Sequence, residues 1–265
     1  MQLQTIIPAT RSPRIPVPFL RLTLGTILIL SLAALSSGQS RPARRVSIFF
    51  EGSDVPANIG RGDARELAML LGHFNVSAQL KGLDGYSPGD INECDLAFFV
   101  GFSKKYDPPD RFMRDVYTTH SQVVWMNTGM DRFSRQFDIE KRFGFRFVTF
   151  DTTSNFDVVR AGKRTFTKGE PNLNITTVVN PGIAEVLATA YSKAARREAP
   201  YIIRSGTFMY VADSPFASAT ETDRYIFFAD LLHEIVGEEH QEIHRALLRI
   251  EDVDVFENPA RLRDI

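Results

Sequence analysis

Four short β-prone runs recur at intervals in the first half of the chain: residues 46–50 (VSIFF), 76–80 (VSAQL), 96–100 (LAFFV) and 122–126 (QVVWM). The stretches between them carry helix signals. Over residues 63–74, Ala64, Leu67, Ala68, Leu71 and Phe74 fall on one helical face. Pro108 and Pro109 open a second helix running to Tyr117, because proline is tolerated in a first helical turn. Strand, helix and strand repeating at this spacing predict a parallel sheet covered by helices. A run as uniformly apolar as 96–100 belongs at its centre, buried on both faces.

The middle of the chain is more β-rich. Residues 145–150 alternate with period two, and 157–168 predict a hairpin turning at Ala161-Gly162-Lys163. Residues 201–212 (YIIRSGTFMYVA) form a further β stretch with a glycine near its centre. Thr220 or Thr222 then caps a helix over 223–236 that Gly237 ends. Residues 247–250 are a last strand candidate, followed by Glu251, Asp252 and Asp254. Asn258 and Pro259 start another helix, with a capping side chain and proline at the first position. Only residues 260–265 follow, so the expectation is a chain cut inside that helix.

The first fifty residues differ. No acid precedes Glu51, and Arg11, Arg14 and Arg21 lead into an apolar run over 22–35 that is followed by Ser36, Ser37 and Gly38. This is the layout of a secretory signal, and the run is shorter than the roughly 20 residues of a comfortable membrane span. Residues 1–38 are therefore expected to be a signal peptide or a membrane anchor. The chain would then be exported: periplasmic, extracellular or anchored in the inner membrane, with membrane contact through this segment if it is uncleaved.

Charge and thiols narrow the function. Lysine and arginine total 31 against 32 acids, which leaves no basic surplus for a nucleic-acid backbone. One cysteine, Cys94, excludes an internal disulfide and any four-thiolate metal site. The 21 phenylalanines predict packing. Gly52, Gly60 and Gly62 follow the first strand, but Arg65 stands where a dinucleotide fingerprint needs glycine. Arg61 and Asp63 remain candidates for a pocket at the sheet's C-terminal edge. His240 and His244 are four apart, yet HQEIH is not the zincin HExxH, and a polar linker is the plainer reading.

The stretch HRALLRIEDVDVFENPARL, with YIIRSGTFMYVADSPF and DRYIFFADLLHEIVG before it, resembles a polysaccharide-deacetylase-like family of largely unknown function. LLGHF, QVVWMN and RIEDV are the most specific parts. That resemblance implies a flavodoxin-like α/β domain over 44–237, a parallel sheet with added β-strands. A linker and the first strand of an incomplete deacetylase-type α/β barrel would follow over 238–265. It also implies Glu251 as general base, where the family has aspartate, and Asp252 as ligand of a divalent metal, zinc by the family's habit. No histidine follows His244 to complete the site, so tight metal binding and activity are not expected of this chain. Its function would be that of the N-terminal part of an exported carbohydrate deacetylase, or of an exported non-catalytic module binding a carbohydrate or cell-wall polymer. The N-terminal region is also similar in outline to class I glutamine-amidotransferase-like domains. The turn 101–103 (Gly-Phe-Ser) lacks their nucleophilic cysteine, and Cys94 precedes the strand.

Overall fold

The computed structural model describes residues 42–52, 59–217, 220 and 222–237. Strand β1 (Arg44–Phe50) leads to helix α1 (Ile59–Leu71), β2 (Val76–Gly82), β3 (Leu96–Val100), α2 (Asp110–Thr118), β4 (Gln122–Met126), α3 (Met130–Gln136) and α4 (Ile139–Phe143). Then come β5 (Phe145–Asp151), β6 (Val158–Ala161), β7 (Arg164–Thr167), β8 (Leu173–Val178), β9 (Glu185–Ser192), β10 (Arg197–Ser205), β11 (Phe208–Val211) and α5 (Arg224–Val236).

Nine strands form one sheet in the order β2-β1-β3-β4-β11-β10-β9-β6-β7, and β5 pairs with β8 in a second sheet. The first five are parallel to one another. From β11 onward the pairing is antiparallel. The parallel half has the flavodoxin-like order, with β11 as its fifth strand, so the order reverses between β1 and β3. This mixed α/β architecture is the one expected for 44–237, and among the described residues the strands of the main sheet stay open. The strand candidate at 247–250, with Glu251 and Asp252, lies outside the described residues.

Register explains the heavy use of aromatics. Phe49 sits opposite Phe99, Phe99 opposite Trp125 and Trp125 opposite Tyr210, so four rings share one face of the sheet. Phe112 of α2 closes on that row, 5.4 Å from Phe49 and Phe99, and Phe133 of α3 stacks on Trp125 at 5.0 Å. Each buried ring contributes on the order of 2–3 kcal/mol by its removal from water.

Local details differ from the sequence expectations. Helix α1 starts at Ile59, ahead of residue 63, and still buries Ala64, Leu67 and Leu71. Helix α5 is capped by the Asp223 side chain, which accepts from the Tyr225 backbone N–H, and not by either threonine. The stretch 201–212 is two strands, because Gly206 takes φ +57° and reverses the chain between β10 and β11. The hairpin at Gly162, also φ +57°, is where the pattern placed it. At the opposite end of the sheet, Arg44 donates to the carbonyls of Ile235 and Val236 at 2.8 and 2.7 Å, so its guanidinium covers the last turn of α5.

Candidate functional site

The parallel strands deliver their loops to one edge. Glu51 follows β1, Gly101 to Lys104 follow β3, Asn127 to Gly129 follow β4, and Asp213 and Ser214 follow β11. Glu51 joins three of these. Its Oε1 accepts from the backbone N–H groups of Phe102 and Ser103, both at 2.6 Å, and from the Thr128 hydroxyl at 3.3 Å. The carboxylate thereby fills, from within the chain, the amide cradle at the switch point, where such folds hold ligand phosphates. Gly101 permits the approach: a side-chain carbon there would lie 2.5 Å from Thr128 Oγ1.

Glu51 is 2% exposed, and its Oε2 has no partner among the described residues. A buried acceptor left bare costs about 1–3 kcal/mol. Burial raises the Glu51 carboxyl above its ordinary value, and the charge of Asp63 adds to the rise. The two backbone N–H groups and the Thr128 hydroxyl oppose it. Asp63, on α1, accepts from the Ser214 hydroxyl at 2.5 Å and is itself raised by burial.

Beside this clamp lies a cleft of about 200 Å³. Phe102, Lys104 and Phe150 line one part of it, and Asn127, Asp213 and Ser214 another, with Glu170 and Asn172 also contributing. Asn127 holds φ +64°, uncommon for any residue but glycine and best tolerated by asparagine and aspartate. Its conformation is pinned from several sides. Asn127 N donates to the Val211 carbonyl at 2.9 Å, its own carbonyl accepts from the Tyr210 hydroxyl at 3.0 Å, and Oδ1 accepts from Asn174 Nδ2 at 3.0 Å. Lys104 lies over the Phe150 ring, and partial burial lowers its ammonium to about 8 against the opposing pull of Asp131.

Under the cleft runs a buried charged network. Asp213 lies 2.9 Å from Lys168 Nζ and 3.1 Å from Arg224 Nη2, and it accepts from the Tyr201 hydroxyl at 2.6 Å. Arg224 also reaches Asp223 at 3.1 Å and the Ser214 carbonyl at 2.9 Å. Lys168 spends its other donors on the carbonyls of Glu170 and Asn172. Two cations and two carboxylates thus neutralise one another and fix the loops that line the cleft.

Of the residues singled out in the sequence, Asp63 reaches this edge, while Arg61 is exposed on α1. Glu251, Asp252, His240 and His244 lie outside the described residues. Among the described residues no group of three or more His, Cys, Asp or Glu side chains could hold a metal ion. Cys94 is 3% exposed and donates to the Ile91 carbonyl at 3.2 Å, ahead of β3. Burial raises its thiol, so it is expected to stay unlabelled by a disulfide reagent in the native protein and to react once denaturant is added. Native labelling at the rate of a free thiol would contradict this packing. Phe102 and Ser103 both keep negative φ, so the turn after β3 is not a strained nucleophile elbow. Sequence reasoning passed over Glu51, Asn127, Asp213 and Ser214 as site residues. One signal was available for Glu51, which directly follows an apolar strand on the edge where α/β sheets bind ligands.

A crystal structure of a protein from Bacteroides uniformis described as ThuA-like matches 76% of this chain and 94% of its own at a TM-score of 0.51 and 11% identity. This chain shares its fold with that ThuA-like protein. At such identity the likeness is one of fold alone. A second ThuA-like structure, from Parabacteroides merdae, matches 64% of this chain and 78% of its own at 13% identity, and its TM-score of 0.37 is too low to bear on the fold. No family model matches the chain. No curated protein matches it either.

The ThuA-like match overturns the deacetylase resemblance. The described sheet over 44–237 is open and matches a ThuA-like fold, and the residues that carried the deacetylase reading, 238–265, lie outside the described residues. The functions drawn from that resemblance fall with it: the exported deacetylase fragment, its hydrolase chemistry and the exported carbohydrate- or cell-wall-binding module. No helix among the described residues is long and apolar enough to cross a membrane.

Proposed function

We propose that this protein binds a small polar organic molecule in the cleft at the C-terminal edge of β3, β4 and β11, without forming a covalent bond to it. The left-handed Asn127 is the observation that carries this reading. A non-glycine residue is held in an uncommon conformation by two neighbouring strands, β11 and β8, and it lines the cleft; such strain gathers at binding sites. The chemistry of the lining favours binding over covalent catalysis. Among the described residues no cysteine or histidine lines the cleft, the Ser214 hydroxyl is committed to Asp63, and the Lys104 ammonium lies over the Phe150 ring.

A thermal-shift screen of the full chain against small organic acids, amides, polyols and amines tests this. A ligand at a hundred times its Kd should stabilise the fold by about 2.7 kcal/mol, a rise of roughly 5–10 °C for a domain of this size. Asn127→Gly adopts the same φ without strain and removes the amide, so it should keep the fold and weaken the ligand about tenfold or more. A ligand that binds this variant as tightly as the wild type would place binding elsewhere.

A further inference from the structure

We propose that the crevice between the C-terminal end of β1 and the first two turns of α1 binds a primary ammonium group, so that the ligand of the adjoining cleft is an amine. The inference rests on the small-molecule reading above and names the ligand's chemical class. Phe102 and Ser214 connect the two places: both line the cleft, Phe102 donates its backbone N–H to Glu51, and Ser214 donates its hydroxyl to Asp63.

Glu51 Oε2, buried and without a partner among the described residues, faces Gly60. A methyl group on Gly60 would sit 3.7 Å from that oxygen, 3.6 Å from the Val100 carbonyl oxygen and 3.7 Å from Phe102 Cβ. The glycine therefore leaves a gap about one heavy atom wide between two acceptors. One turn along α1 stands Asp63, 8% exposed, and then the half-buried Glu66. Asp63 is close enough for its charge to act on both Glu51 and Glu66. Arg61 and Arg65 are exposed on the same helix, and neither forms an ion pair with these acids. The start of α1 supplies roughly half a positive charge, too little to balance three carboxylates. No group of three or more His, Cys, Asp or Glu side chains among the described residues could hold a metal ion, and a divalent cation is the competing occupant that the titration below tests against. An ammonium carries three N–H donors; Glu51 Oε2 and the Val100 carbonyl flank the gap, and Asp63 adds negative charge one turn along the helix.

Calorimetric titration of the full chain with ethanolamine, choline and Mn²⁺ separates the cases. Ethanolamine should bind at least tenfold more tightly than choline, which has no N–H to donate. Glu51→Gln and Gly60→Ala should each weaken ethanolamine tenfold or more. The added methyl of Gly60→Ala meets only ordinary contacts, and alanine favours a helix, so its melting temperature should not fall. Equal binding of ethanolamine and choline, unchanged affinity in either variant, or tighter binding of Mn²⁺ would each overturn the ammonium site. If ethanolamine fails to bind while another compound binds and responds to Asn127→Gly, the ammonium site is wrong and the cleft reading stands.

Discussion

Replacing Asp213 with alanine is expected to lower the melting temperature by roughly 6–20 °C. The side chains of Lys168 and Arg224 have no exposure at all, and Asp213 is the carboxylate they share. Removing one partner of a buried ion pair costs about 3–5 kcal/mol: Arg224 keeps Asp223, but Lys168 is left buried with no carboxylate within salt-bridge distance among the described residues. For a domain of 150–250 residues each kcal/mol shifts the melting point by about 2–4 °C. Lys168→Met should cost less, since Asp213 keeps Arg224 and the Tyr201 hydroxyl. The pH dependence has a definite sign. Burial disfavours the Asp213 charge, but Arg224 and Lys168 outweigh it and hold the carboxyl below its ordinary 3.8. Its stabilisation is therefore present at neutral pH and is lost only as pH falls through the depressed value. A melt of Asp213→Ala within 2 °C of the wild type would show that the network contributes nothing.

Glu51 has the opposite sign, and that makes it the second informative position. Its carboxyl is raised above 4.5, first by burial and then by Asp63. The folded state therefore favours the protonated form. The associated stability is full below 4.5 and is lost as pH rises through the raised value. Glu51→Gln removes this titration while keeping an oxygen for the Phe102 and Ser103 N–H groups. Its stability relative to wild type should grow as pH is raised from about 4 to 8. At the upper end the gain should reach about 1–2 kcal/mol, comparable to the penalty of one bare buried acceptor. Glu51→Ala should do the reverse and cost about 2 kcal/mol or more, because two backbone N–H groups lose their acceptor. Parallel pH–stability curves for wild type and Glu51→Gln would refute the assignment of a raised carboxyl.

The parallel half of the fold was readable because burial on two faces leaves a plain mark. Residues 46–50, 96–100 and 122–126 are apolar runs, and β3 is buried at every position. The strands β8 and β9 went unread for the converse reason. LNITTV buries asparagine and threonine side chains, and EVLATAYS uses alanines on its inner face. Their β character comes from the partners they meet, not from their own composition. The deacetylase reading failed at the same level. A short acidic run such as RIEDV recurs in many folds, and it records nothing of the fold in which it sits.

By itself the sequence determined the local periods: which segments alternate, which present one apolar helical face, and that Gly162 turns the chain. It also determined the charge balance and the single thiol. The tertiary structure alone decided the site, because its members are remote in sequence. Glu51 meets Phe102, Ser103 and Thr128 across separations of 51 to 77 residues, and Ser214 reaches Asp63 across 151. A carboxylate's protonation follows from what surrounds it. No residue pattern near Glu51 records that two amides would fill one oxygen while burial left the other bare.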